Sequence, residues 1–455
     1  MSSETEPKYA GLKEVMSMSW PIMLASMSFV VMDFVDKYFV ASLGKDHLAA
    51  IGSAGIWSYT LSMFVIGVVT CVSTFASQSL GRNNKPDAAR YTWQGIYISL
   101  SAILVFFLMI PGTPILFNAM NHSPEVTQLE IDYFNIRMYG VVFVAWQTAV
   151  SSFFFSIECP KIPMYISLLG NLTNIILDYL LVFGKFGFPE LGIEGAAYAT
   201  VISIFAQMVI LQWIFMSKSY NKDYHTRSTF SFDWGKVKEL FKIGWPSGLS
   251  GFIDITNWSV FTSFIIGSFG TEQLAANGAA INYMHIMFMP VMAMNNAIAP
   301  IVGQWIGKAD IPRAKARAYT ATKVGMVIMI SMGILLAIYG EFLIGLFSDD
   351  PEVIRVGHTL LIFGAVFALF DAVNIVLSGA LRGAGDTYWM LIALLIGSWG
   401  VNIPLAWIFS TPLGLEAKGA WIGATIYIIF MSVLYLHRFH GEKWRHIDIF
   451  NKNEA

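Results

Sequence analysis

The chain has 455 residues, 56% of them apolar or aromatic and 13% charged, with a formal net charge of −2. Soluble proteins average about 25% charged residues, so this is an integral membrane protein, and its near-neutral balance excludes nucleic acid or an acidic partner drawn by charge. Its two cysteines, Cys71 and Cys159, lie in or beside apolar runs without a CxxC or Cys/His cluster, which excludes a disulfide framework or a zinc site.

Stretches long enough to cross a hydrocarbon core of roughly 30 Å as helices recur at 16–42, 50–79, 93–117, 133–157, 162–184, 192–216, 239–268, 275–306, 319–347, 357–381, 388–410 and 416–438. They exceed the length of a barrel strand and do not alternate polar with apolar. The spacing predicts twelve transmembrane helices, six in each half.

The first stretch follows Lys8 and Lys13, holds Asp33 and Asp36 and lacks a cleavage site, so it reads as a spanning helix rather than a removed signal peptide. Ionisable residues in lipid are costly and face a cavity or a partner; Asp33, Asp36, Asp178, Asp254 and Asp371 are the buried candidates. Asp33 and Lys37 stand at i and i+4, where they neutralise one another, while Asp36 projects about 100° away from Lys37 and is the freer acid. In the fifth span Asn174 and Asp178 also share a face at i and i+4. With Thr200 of the sixth span they are expected to form one polar pocket with Asp36, suited to a proton relay or a hard monovalent cation.

Basic residues concentrate in alternate connections. Arg82, Lys85 and Arg90, then Lys218, Lys222, Arg227, Lys236 and Lys238, then Lys308, Arg313, Lys315 and Arg317 mark the even loops, and both termini, as cytoplasmic. This divides the chain into an amino-terminal lobe, 1–217, a cytoplasmic linker, 218–238, and a carboxy-terminal lobe, 239–455.

In the second half, Asp254 and Asp371 fall near the middle of spans seven and ten. Desolvated carboxylates of this kind suit proton or sodium exchange. The eighth span carries Met284, Met287, Met289, Met292 and Met294 with His285 and Asn295. Methionine is polarizable enough to line a promiscuous solute cavity, which gives His285, Met287, Met292 and Asn295 as candidates; the alternative is methionine standing for leucine toward lipid and a helix-packing histidine. GALRGAGDT, from Gly379, lacks the GK[ST] ending of a phosphate loop and reads as a tight cytoplasmic turn with Arg382 as an anchor. No nucleotide-binding motif occurs, so the energy source is an ion gradient.

The halves repeat. WP, LG, HLAAIGSAG, QSLG and KPDA between Trp20 and Ala88 return as WP, FG, QLAANGAA, QWIG and IPRA between Trp245 and Ala314, and GNLTNIILDYL around Asn174 returns faintly as VNIPLAW around Asn402. Two six-helix halves pointing the same way imply pseudo-symmetry about the membrane normal, as in alternating-access transporters. The aspartates break the symmetry: Thr262 stands opposite Asp36, Ser28 opposite Asp254 and Ala145 opposite Asp371. Fold symmetry does not explain these acids, which makes them functional candidates.

VDKYFVASLG with Asp36, QSLGRNNKPDA, WPSGLSGFID with Asp254 and FDAVNIVLSGALRGAGDT with Asp371 together resemble the multidrug and toxic compound extrusion (MATE) transporters, in their NorM/DinF-like branch, across essentially the whole chain. The resemblance implies an all-α membrane fold of two pseudo-symmetric six-helix lobes and export of organic cations or drugs in exchange for H+ or Na+. It assigns cation or proton coupling to Asp36, Asn174, Asp178, Thr200, Asp254 and Asp371, with Na+ held at Asp36 and Asp178 or at Asp254 and Asp371. Two departures stand out: Asp254 where NorM-type members have Glu, and Lys37 beside Asp36.

The reading is therefore a multi-pass antiporter of the cell inner or plasma membrane, acting as a monomer on a small cationic solute, with the bilayer as its partner and no cofactor. A flippase for lipid or lipid-linked saccharide is the alternative, and would need clustered cavity arginines; the intramembrane arginine is Arg137, near a helix start. A membrane enzyme would need a nucleophile, base and metal constellation that the spans do not carry, and a receptor would need no repeat.

Overall fold

The computed structural model describes Ala10–Phe450, and among these residues it is built of helices joined by short turns, without a strand. The long helices are α1 (Ala10–Ala41), α2 (Lys45–Gly81), α3 (Lys85–Met109), α4 (Pro124–Ser156), α5 (Lys161–Val182) and α6 (Gly192–Phe215). The second half supplies α7 (Trp234–Phe269), α8 (Thr271–Gly307), α9 (Ile311–Gly345), α10 (Pro351–Ala384), α11 (Thr387–Ser410) and α12 (Glu416–His440). Eleven of these stretches are long and apolar enough to cross a membrane; α3, 25 residues long, completes the set. Large apolar side chains such as Phe34, Trp213, Ile338 and Phe342 lie exposed on the outer faces, as lipid contact requires.

Several helices start well before the apolar windows do. Asn84, Ser123, Asp310 and Asp350 cap α3, α4, α9 and α10 by accepting from the backbone N–H of Asp87, Val126, Arg313 and Glu352, each with a proline in the first turn. Cap and proline together satisfy the orphan donors of a helix start, so α4 begins at Pro124 rather than 133 and α9 at Ile311 rather than 319. The third span also ends early. Pro111 and Pro114 replace its expected last turns by a tight turn, Ile110–Gly112, and a short helix, Thr113–Asn118.

The GALRGAGDT reading needs correcting. Residues from Gly379 to Ala384 remain in α10, and the turn is confined to Gly385, whose φ of 85° caps the helix. Gly379 and Gly383 instead let α10 press on α8: a Cβ at Gly379 would stand 2.5 Å from the Asn295 carbonyl oxygen and one at Gly383 2.2 Å from that of Ala299. Helices in lipid associate through such close packing rather than through water expulsion. Gly383→Val is expected to destabilise by about 3 kcal/mol, seen as loss of the monodisperse peak in detergent size-exclusion chromatography.

The chain divides into two compact units, Met1–Met23 with Leu249–Ile449, and Leu24–Gly248 with Phe450–Ala455. The boundaries fall just after Pro21 in α1 and Pro246 in α7, the repeated Trp-Pro pairs. A helix-interior proline removes a backbone hydrogen bond and bends the helix. In both α1 and α7 it marks where the chain passes from one unit to the other.

Within the unit Leu24–Gly248, Val40, Ala54, Phe117, Phe134, Val141 and Ala196 form one core. The connection after α6 is docked on α3: Trp93 Nε1 donates to the Thr226 carbonyl (2.8 Å), Gln94 Nε2 to that of Ser231 (3.0 Å), and Lys236 pairs with Asp87 (3.1 Å). In the other unit the start of α1 is held by Glu14, whose carboxylate meets Arg317 Nε at 2.6 Å and Trp305 Nε1 at 2.9 Å. Arg317 is only 4% exposed, so removing its carboxylate is costly. Glu14→Ala is expected to lower stability by about 3 kcal/mol, read as a fall in melting temperature in detergent.

Candidate functional site

Asp36, Asn174, Asp178 and Thr200 come together in the unit Leu24–Gly248, and all four are buried. The i, i+4 spacing on α5 sets Asn174 and Asp178 on one face, toward Asp36 of α1 and Thr200 of α6. With its amide oriented to satisfy both ends, Asn174 donates from Nδ2 to Asp36 Oδ1 at 3.0 Å and accepts from the Thr200 N–H at 3.2 Å. The Thr200 hydroxyl donates to the Ala196 carbonyl (3.0 Å), which keeps its lone pairs available as acceptors. Asp36 and Asp178 hydrogen-bond one another through their side chains. Two charged carboxylates do not make that bond, so the contact holds one proton or gives way to a cation bridging the pair.

Asp33 does not belong to this group. It pairs with Lys37 at 2.6 Å on the outer face of α1, where both side chains are about half exposed, 47% and 51%. Three residues along the helix rotate Asp36 inward while Asp33 stays with Lys37.

On α4 the sequence reading missed Glu130 and Tyr133 and misplaced Arg137. Glu130 is fully buried and meets His122 Nδ1 at 2.9 Å. Tyr133 is buried, and the charge of Arg137 acts on it and on both Asp36 and Asp178. Arg137 is not near a helix start; α4 begins at Pro124 and places it deep in the helix. The three- and four-residue spacing of Glu130, Tyr133 and Arg137 was visible, but an apolar window beginning at 133 cut it.

In the unit containing Leu249–Ile449, Asp254 and Asp371 approach closely enough for the charge of one to act on the other. Asp371 is 7% exposed and its Oδ1 accepts from Asn374 Nδ2 at 3.1 Å; Asp254 accepts from Trp258. Both aspartates also act on Tyr427. Around Trp258 stand the buried Phe261, Phe367 and Trp421, with ring centroids 5.4 to 6.2 Å from it, an aromatic cluster that packs beside the two acids. Both α7 and α11 loosen into π-helical turns here, at Phe261–Ile265 and Ile396–Asn402, a frequent mark of functional positions. Asn402, the counterpart of Asn174, donates to Asn257 at 3.1 Å, and Trp421 donates to Asn277 at 2.9 Å, all four buried. Asn257 was legible as a residue one helical turn beyond Asp254; Asn277 stood only within the repeated QLAANGAA stretch.

The α8 candidates are not brought together. Met287 is fully buried, His285 and Met292 lie on an exposed face, and Asn295 is tied to α10, donating to the Ile375 carbonyl and Ser378 and accepting from Arg382 at 2.8 Å. Over a helix of 37 residues containing Pro290 and Pro300, proximity in sequence does not make one surface.

Comparison with known proteins places the chain in a family. The MatE family profile matches residues 21–180 and 248–408, one segment in each half. The chain is 25% identical over 434 residues to "Probable multidrug resistance protein NorM" of Thermotoga maritima, covering 95% of this chain and 93% of that protein. It is 28% identical over 440 residues to the protein of the same name from Bacillus cereus, covering 96% of each. Among solved structures, an outward-facing multidrug resistance MATE family transporter of the MOP superfamily superposes with a TM-score of 0.87 at 20% identity, over 95% of this chain and 97% of that one. A MOP superfamily transporter from Pyrococcus furiosus gives the same TM-score and identity over 95% and 96%. With the family profile matching both halves, the chain belongs to the MatE family of membrane transporters, the multidrug and toxic compound extrusion proteins.

Proposed function

We propose that the protein is a secondary active multidrug efflux antiporter, exporting small organic solutes with a cationic group in exchange for H+ or Na+. The observation that carries this reading is the buried cluster of Asp36, Asn174, Asp178 and Thr200, in which two acids meet at hydrogen-bonding range with an amide and a hydroxyl beside them. Such a set exchanges a proton or a monovalent cation for a cationic group because each neutralises the same charge. Asp254 and Asp371 would form a second coupling pair, next to the aromatic cluster of Trp258 with the buried Phe367 and Trp421. The names of the relatives, multidrug resistance proteins, support the substrate class.

Coupling arises because ion and solute favour different conformations, and each biases the equilibrium only by its differential affinity. In this reading 1–217 and 239–455 are the lobes, 218–238 is their linker, both termini are cytoplasmic, and one chain suffices in the plasma membrane. A drug-susceptibility screen in an efflux-deficient bacterial host, with sodium and pH varied in pairs, tests it. Raised resistance that depends on one of the two ions is expected; resistance indifferent to both, or none to any organic cation, would contradict it.

A further inference from the structure

Arg137 has no hydrogen bond or ion pair among the described residues, and its Nε is buried without an acceptor. A guanidinium carries five N–H donors and no acceptor, and within a membrane such a group pairs or faces a ligand space. The protein's other inward arginines obey that rule. Arg317 pairs with Glu14 at 2.6 Å, Arg438 with Asp386 at 2.7 Å, and Arg382 donates to Asn295 and Asn296 side chains at 2.8 and 3.0 Å. Arg137 is the exception in this set. Nor does it point at lipid. Glu130, Tyr133 and Val141 on its face of α4 are all buried, whereas the opposite face presents Tyr139, 56% exposed. Arg137 itself is only partly buried, on the same face of the helix as those buried side chains.

Its charge acts on Asp36 and Asp178, yet these acids bond to one another and to Asn174 rather than to it. The site thus holds an acidic pair and, within electrostatic range, a positive fork with nothing to hold. We propose that Arg137 is an anion-binding subsite, taking a carboxylate or phosphoryl group of a zwitterionic ligand whose cationic end occupies the Asp36–Asp178 pair. The proposal rests on the reading of that pair as an exchange site and narrows its substrate class. The two ends divide the work. An ammonium entering the acidic pair displaces one proton, while the planar guanidinium receives two oxygens side by side, as a fork does for carboxylate or phosphate. A purely cationic solute is repelled by Arg137 and gains nothing from it.

The probe is a xanthene dye in two forms, the methyl ester, which is only a cation, and the free acid, the same cation with a carboxylate. Binding is measured by fluorescence anisotropy to the purified full-length protein in detergent, so that the result does not depend on transport. Arg137→Gln is expected to weaken the acid form by about tenfold or more and to leave the ester bound as well or better. Arg137→Lys, which keeps the charge but not the fork, should fall between. Added phosphatidylethanolamine separates the two sources of this ligand chemistry: if it displaces the acid dye from the wild type, the occupant is a lipid headgroup, and if it does not, a soluble solute. Equal weakening of both forms, or an acid form unaffected in an Arg137→Gln protein of unchanged melting temperature, would overturn the proposal. If the wild type moves neither dye along an ion gradient in vesicles while the Arg137-dependent preference persists, antiport fails and the subsite stands.

Discussion

Asp36→Asn is expected to abolish gradient-driven efflux while leaving the protein folded. Asparagine is nearly isosteric, its Oδ1 still accepts from Asn174 Nδ2, now made at 3.0 Å, and its amide donates to Asp178. No buried group is orphaned, so little stability is lost. What disappears is the exchangeable proton, because an amide bonded to Asp178 cannot be exchanged for a cation as a shared proton can. The coupling that disappears is of the ordinary size, about 1–3 kcal/mol, a factor of roughly 5 to 150 in the ion's effect on solute affinity. The measurement is dye extrusion from energised vesicles, with expression and melting temperature as controls. An Asp36→Asn protein that retains full drive would remove this pair from the coupling mechanism.

Asp371→Asn should have a comparable effect by a different route. Asp371 Oδ1 accepts from Asn374 at 3.1 Å, a bond the amide oxygen keeps, so α10 is not disturbed. The lost carboxyl is the one on which the charge of Asp254 acts, and with a single carboxylate left the second site binds a proton or sodium more weakly. Asp254 carries the shorter of the two kinds of acidic side chain, so the site has little reach to compensate. A drop of roughly tenfold or more in ion-dependent transport is expected, with solute binding in the absence of a gradient changed far less. Full coupling in both the Asp36→Asn and Asp371→Asn proteins would contradict the antiport reading altogether.

Much of this is legible in the amino-acid sequence. The repeat from Trp20 to Ala88 and Trp245 to Ala314 announced two six-helix halves, and its Trp-Pro pairs turn out to lie where the chain crosses between compact units. The i, i+4 spacing of Asn174 and Asp178 placed two of the four clustered residues, since helical periodicity survives in any tertiary setting. Hydropathy, however, reports where lipid begins, not where a helix begins. That is why hydropathy hides Glu130 and the caps at Asn84, Ser123, Asp310 and Asp350, and sets Arg137 near a helix start although it lies well inside α4. The π-helical turns of α7 and α11, and the Asn257–Asn402 contact between them, depend on how two distorted helices meet. No local pattern encodes that. On α8, methionine composition pointed to a cavity, but Met287 and Met292 face opposite ways.

The central claim is ion-coupled exchange, and solute-dependent ion flux in proteoliposomes tests it most directly. With purified protein in sealed vesicles and no nucleotide present, addition of an organic cation on one side should drive protons or sodium across the membrane toward that side, and an imposed gradient of that ion should accumulate the solute against its own. Solute movement that runs at the same rate with the ion gradients collapsed, and moves neither protons nor sodium, would contradict the account.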